Sequence, residues 1–173
     1  WDFQTLAAER KAQLTRISTL RNGRGVLVYA ADLTKNGRDV PLMIDYSDLL
    51  PVQDQLSAIT GDEVDIIIET PGGLAEVAED MVRIIRSKFA RVGMIVPGWA
   101  KSAGTILVMA GDEILMGPSS SLGPIDPQIN FGGKRFSADA FLDGFEKIKT
   151  EVQKTGKLNP AYIPILQNIS PGE

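Results

Sequence analysis

The sequence predicts an α/β protein with a mostly parallel sheet, and two observations carry that reading. Short β-branched runs alternate with segments of helical spacing along the chain, the pattern of strands joined by helical crossovers. Two glycine-containing turns, 69-ETPGG-73 and 98-GWAKSAG-104, follow successive predicted strands at their carboxyl ends, where chemistry gathers in open α/β sheets.

The elements follow in order. Residues 1–20 read as an amphipathic helix with Leu6, Leu14 and Ile17 among charges. The run 25-GVLVYAAD-32 is a buried strand, and 34-TKNGRD-39, with its Asn-Gly pair, predicts a hairpin turn back into a strand over 40–44. Helical spacing returns over 47–59, and 64-VDIIIET-70 is a strand that ends at Pro71, Gly72 and Gly73. A helix over 74–88 carries Val77, Met81, Ile84 and Ile85 on one face. The strand 91-RVGMIVP-97, a turn at Ser102 and an apolar helix over 101–110 come next. Strand 113–117 leads into a loop over 118–127, and GGKRFS at 132–137 reads as a flexible link. The spacing predicts a helix over 138–154 and an extended or broken-helical tail over 158–166. This divides the chain into an N-terminal helix (1–24), a core (25–137) and a helical segment with tail (138–173), one domain overall.

Composition narrows the chemistry. At 173 residues the chain can bury a core, and its net charge of −4 without basic runs argues against nucleic acid as a partner. The chain has no cysteine and no histidine, which excludes disulfides and makes a structural zinc site very unfavourable. No apolar run reaches the ~20 residues of a membrane span. The chain starts at Trp1 and stops at 170-SPGE-173, so it reads as part of a longer protein whose ends could carry an anchor or partner domain.

Ser102 sits among small residues at a predicted helix start. Alone, it reads as an ordinary N-cap, and Pro71-Gly72-Gly73 alone as an ordinary strand-to-helix turn. Together they lay out acyl transfer. A serine is flanked by the Ala103 N–H at a helix N-terminus, and Gly72–Gly73, lacking Cβ, can bring a second backbone donor close. The missing piece is a base.

The order strand–PGG–helix–strand–GxAxSxG–helix resembles the Clp protease/crotonase superfamily, and the likeness continues through 107-LVMAGDEILMGPSSSLGPID-126. Within that superfamily the chain resembles the serine dehydrogenase proteinase family, a relative of signal peptide peptidase A, through Glu9-Arg10, 69-ETPGG-73 and 161-AYIPI-165. The resemblance implies a serine peptidase of the Clp protease/crotonase-like fold, an α/β fold of mostly parallel stacked ββα units with flanking helices. Where the Clp subunit carries its histidine, this chain has 124-PIDP-127, so a Ser-His-Asp triad is ruled out. The resemblance to signal peptide peptidase A implies a Ser-Lys dyad instead. Lys154, in 154-KTGKL-158, is then the best base, although a lysine there also suits a helix C-terminus. Lys147 and Lys134 remain alternatives, each equally readable as a surface charge. Asp126 could orient a lysine or cap its loop. Lys101 points about 100° away from Ser102 if both enter the helix, and so reads as a rim or solvated residue. Ser119, Ser120 and Ser121 read as turn formers, one of which could hold the lysine.

The resemblance further implies a peptide or protein substrate, no cofactor, and a homo-oligomer assembled through 138–166. A cytoplasmic location is expected, with any membrane association carried by segments outside this chain. Two alternatives stay open. One is a catalytically degenerate Clp-fold scaffold. The other is a crotonase-like acyl-CoA enzyme using Glu76 and Glu79, which read otherwise as solvated charges in a first helical turn.

Overall fold

The computed structural model describes residues 2–33, 42–126, 128–131 and 134–166. The chain divides into two compact units, Trp1–Ile125 and Asp126–Glu173.

The first unit holds a four-stranded parallel sheet in the order β1 (Gly25–Ala30), β2 (Glu63–Glu69), β3 (Arg91–Val96), β5 (Glu113–Met116). Hydrophobic alternation sets its register. Ile66 lies opposite Leu27 and Met94, and Met94 opposite Ile114, so one face of the sheet is apolar from edge to edge. Against that face pack α2 (Leu49–Ala58), α3 (Ala75–Lys88) and α4 (Ala103–Met109), giving a core that includes Leu56, Ile68, Val77, Met81, Met94 and Val108. Burying each large side chain contributes about 1.5–3 kcal/mol. Helix α3 shows how the sequence specifies this: Val77, Met81 and Ile85, four residues apart, are its buried stripe, and Arg86 and Lys88 sit in its last turn, where the helix dipole favours cations.

Helix α1 (Phe3–Leu20) buries no residue, and its start is fixed by Asp2, which accepts the Thr5 N–H at 2.8 Å. Its role lies just past its end. Arg21 donates to Asp65 Oδ2 at 2.7 Å and also to Glu113, and Arg24 lies 2.6 Å from Glu63 and 3.3 Å from Asp65. Asp65 is fully buried. This cluster ties the amino ends of β2 and β5 to the helix, and Gly93 leaves it room: a Cβ there would stand 2.1 Å from Asp65 Oδ1.

A two-stranded parallel piece, β4 (Trp99–Ala100) with β6 (Ser121–Leu122), lies within the stretches read as a turn and a loop. Its strands are two residues long, too short for any periodicity to announce them. The expected hairpin turn at 34–39 lies outside the described residues. Of the expected strand 40–44, Ile44 makes a parallel bridge to Gly73.

In the second unit, β7 (Gln128–Phe131) pairs antiparallel with β8 (Lys134–Ser137). Lys134–Ser137 is therefore strand, where the sequence suggested a flexible link; residues 132 and 133 lie outside the described part. This strand pair belongs to the same unit as α5 (Ala138–Thr155). Ser137 caps α5 by accepting the Ala140 N–H, and Gly156, at φ 65°, ends it in the left-handed conformation. The tail is a broken helix: a 3-10 turn over Pro160–Tyr162, then α6 (Ile163–Leu166). Among the described residues, no helix is long and apolar enough to cross a membrane.

Candidate active site

The site is built where β2 and β3 end. Thr70 follows β2 and is fully buried. Its N–H donates to Trp99 O and its carbonyl accepts from the Lys101 N–H, both at 3.1 Å, which bolts the 71–73 turn to the segment leading into α4. Its hydroxyl accepts the Gly72 N–H at 3.1 Å. Its methyl group packs on Gly104, where a Cβ would stand 2.4 Å from Thr70 Cγ2.

Ser102 follows in the segment that this frame holds against Gly72. Its backbone has φ 50° and ψ −120°, a conformation rarely adopted by a residue with a side chain and costing about 1–3 kcal/mol. The surrounding bonds hold it there: the Gly104 N–H donates to Lys101 O at 2.9 Å and the Thr105 N–H to Ser102 O at 2.8 Å. Although Ser102 stands at the N-cap position, its side chain makes no capping hydrogen bond. A serine acting as a cap adopts extended backbone and spends its oxygen on the helix; Ser102 does neither. This is the strand–turn–helix geometry that lifts a side-chain oxygen clear of its own backbone.

Two backbone N–H groups of the adjoining turns bear on its chemistry. Ala103 is the first residue of α4, so its N–H has no partner within the helix. Ile44 is bonded to Gly72 O and to the Leu74 N–H, the pattern of a parallel bridge centred on Gly73. The Gly73 N–H therefore points away from Ile44, and among the described residues it donates to nothing. The Gly72 N–H, by contrast, is taken by Thr70. Gly72 serves through its missing side chain and its φ of 100°.

Lys101, just before Ser102, turns aside. Its ammonium donates to Ser121 Oγ at 2.8 Å and to Leu122 O at 3.2 Å, and lies 6.0 Å from the centre of the Trp99 ring. Ser120 is a turn former: its hydroxyl accepts the Gly117 N–H at 2.9 Å and donates to Val96 O at 2.6 Å. The hydroxyl of Thr105 lies 3.0 Å from Ala100 O and 2.9 Å from Gly123 O, able to donate to either, and fastens α4 to the segment after β6.

The remaining candidates belong to the second unit. Lys154 is exposed in the last turn of α5, and Lys147 is exposed on the same helix. Both line an open charged groove with Asp143, Glu146 and Glu151. Lys134 opens β8, and its side chain lies outside the described part. Asp126 begins the unit and is not a free carboxylate. Of the acids considered for acyl-CoA chemistry, Glu76 is exposed and accepts from Tyr46 Oη at 3.2 Å, and Glu79 pairs with Arg83 at 3.3 Å on the surface. Among the described residues, no cluster of His, Cys, Asp or Glu is arranged to hold a metal ion.

Sequence reasoning missed Thr70 and Thr105. Each is a polar residue at a position otherwise apolar, one closing a buried strand and one inside a buried helix. That is the available signal, because a buried hydroxyl must find partners.

Known proteins are similar to this chain in part. Two uncharacterized proteins of Methanocaldococcus jannaschii match, MJ1495 at 35% identity over 88 residues and MJ0137 at 41% over 66. The matched segments cover 51% and 38% of this chain but 30% and 23% of those relatives, so the chain spans under a third of their length. Among solved structures, ClpP1 from Listeria monocytogenes is similar at 19% identity and a TM-score of 0.44, covering 76% of this chain and 72% of that one. The ClpP catalytic domain from Plasmodium falciparum is similar at 13% identity and a TM-score of 0.40, covering 52% and 53%. A family profile matches residues 3–157, which include every element from α1 to α5, and on that match the chain belongs to the ClpP-like SDH-type serine proteinases.

Proposed function

We propose that this chain is a serine peptidase in which Ser102 is the nucleophile, Gly73 and Ala103 supply the oxyanion donors, and Lys154 is the base. The observation that carries the reading is Ser102 itself: a strained serine whose hydroxyl is not spent on its helix, in turns whose Ala103 and Gly73 N–H groups have no partner among the described residues. A backbone holds such a conformation only when its surroundings over-determine it, as at active sites.

In the proposed reaction Ser102 Oγ attacks the scissile carbonyl carbon and its proton passes to the neutral lysine amine. The carbonyl oxygen becomes an oxyanion facing the Gly73 and Ala103 N–H groups. Collapse breaks the C–N bond, and the lysine returns its proton to the leaving amine. Water then hydrolyses the acyl-serine by the same path in reverse. No cofactor enters. A lysine works this way only where burial or a nearby cation favours its neutral form. Lys154 is exposed in the single chain, so the proposal requires a second copy or bound substrate to desolvate it, and a homo-oligomer is part of the reading.

Hydrolysis of an unstructured protein by the wild type and by Ser102→Ala, Lys154→Met, Lys147→Met and Lys134→Met tests the roles. Loss in the first two variants alone, with a rate that rises toward alkaline pH, is expected. Retained activity in Lys154→Met would move the base elsewhere.

A degenerate scaffold is the second reading, and the exposure of Lys154 and Lys147 favours it. It predicts folded, assembled protein with no hydrolysis at any pH.

A further inference from the structure

We infer that Lys101 is a carboxylate receptor beside the nucleophile, selecting peptides that place an acidic side chain or a free C-terminal carboxylate next to the scissile bond. This names a substrate class and rests on the peptidase reading.

The ammonium of Lys101 is half-buried, yet its partners are neutral. It gives one proton to Ser121 Oγ and one to Leu122 O, and among the described residues no ion pair includes it. An ammonium carries three donors, so one remains. The half-buried arginines of this unit are paired with carboxylates: Arg21 and Arg24 with Asp65, Glu113 and Glu63, and Arg86 with Asp112. A partly desolvated charge without a counter-ion is costly, and a ligand carboxylate in its place relieves that cost.

The position is built as well as charged. The lysine stem lies along Gly123, where a Cβ would stand 2.5 Å from Lys101 Cδ and 3.2 Å from its Cβ. Trp99, 43% exposed, flanks the ammonium. The chain continues from Lys101 directly into Ser102, so the lysine stem leaves the backbone one residue from the proposed nucleophile, with its ammonium directed toward Ser121 and Leu122. The net charge of −4 repels anionic peptides at long range, so any preference for them must arise locally.

The test measures binding of N-acetylated peptide pairs to Ser102→Ala, which cannot turn them over. One pair differs by Glu against Gln, the other by a free against an amidated C-terminus, and the two pairs separate the sources of the carboxylate. At least one acidic member is expected to bind about tenfold more tightly than its neutral twin, with the gap shrinking at high salt. In Lys101→Met on that background the gap should close, and in Lys101→Arg it should persist. Gly123→Ala, which displaces the stem, should narrow it, with melting temperatures checking that each variant folds. Equal affinity within both pairs, no measurable binding, or an unchanged gap in Lys101→Met would each overturn the inference. Labelling of the wild type by a fluorophosphonate is scored separately: its failure overturns the peptidase reading, whereas equal affinity within both pairs, or a gap unchanged in Lys101→Met, with labelling intact overturns only the role of Lys101.

Discussion

Gly72 and Ser102 are packed so closely that a Cβ on the glycine would stand 2.8 Å from Ser102 Cβ and 2.6 Å from Lys101 O. The glycine also holds φ at 100°, which a side chain strongly disfavours. Gly72→Ala is therefore expected to cost about 1–3 kcal/mol of stability and to push Ser102 out of its conformation. Thermal melting and fluorophosphonate labelling rates measure the two effects. A variant that folds normally and labels at the wild-type rate would show that the contact is incidental.

Thr70 acts through Gly72. By accepting the Gly72 N–H it fixes the turn and leaves the Gly73 N–H as the one that faces outward. Thr70→Val keeps the shape but strands a buried donor. Its kcat is expected to fall about 10- to 100-fold, a little less than loss of a whole oxyanion donor, with KM nearly unchanged. Thr70→Ser, which keeps the oxygen, should restore most of the rate. A fall in melting temperature without any change in kcat would reduce Thr70 to a structural role.

Acid should weaken the first unit through Asp112. The Arg86 guanidinium, aided by the Val92 N–H, holds this carboxyl down to about 2. A group whose folded value is lowered contributes stability that is fully present above its unfolded value, near 4. That contribution is lost as pH falls from about 4 toward 2. Glu113 is lowered too, chiefly by its hydrogen bond from Arg21, so its contribution fades in the same direction. Asp112→Asn should lower the melting temperature at pH 7 and show a shallower acid decline than the wild type. Parallel declines in the two proteins would contradict this.

Asp65 neutralises two arginines where water cannot. It is fully buried, and Arg21 and Arg24 both reach it. Removing one partner of a buried pair leaves the others uncompensated, so Asp65→Ala should cost about 3–5 kcal/mol. The cluster sits at the amino ends of the strands, opposite the Ser102 turn, so labelling per folded molecule should stay unchanged. Urea denaturation followed by labelling of the folded fraction measures both.

Much of this fold is legible in the sequence because hydrophobic period and glycine placement act locally. The four sheet strands and α3 follow from β-branched runs and from Val77, Met81 and Ile85 recurring every four residues. The two turns announce themselves through Pro71-Gly72-Gly73 and the small residues around Ser102. What stays hidden is contact across sequence distance. Strands β4 and β6 are too short to carry a period and exist because Ser121 and Leu122 find the edge of Trp99–Ala100. The capture of the Gly72 N–H by Thr70, and of the Lys101 ammonium by Ser121, likewise depends on folding that brings separate turns together. The choice among lysines was open for the same reason: exposure, assembly and substrate decide which amine can be neutral, and none of these is written in local spacing.

The most direct test of the central claim is the site of covalent modification by a fluorophosphonate, mapped by mass spectrometry in the wild type and in Ser102→Ala. One adduct is expected, on Ser102, and it is lost in the variant. An unmodified wild type, or an adduct of equal yield in Ser102→Ala, would contradict the claim.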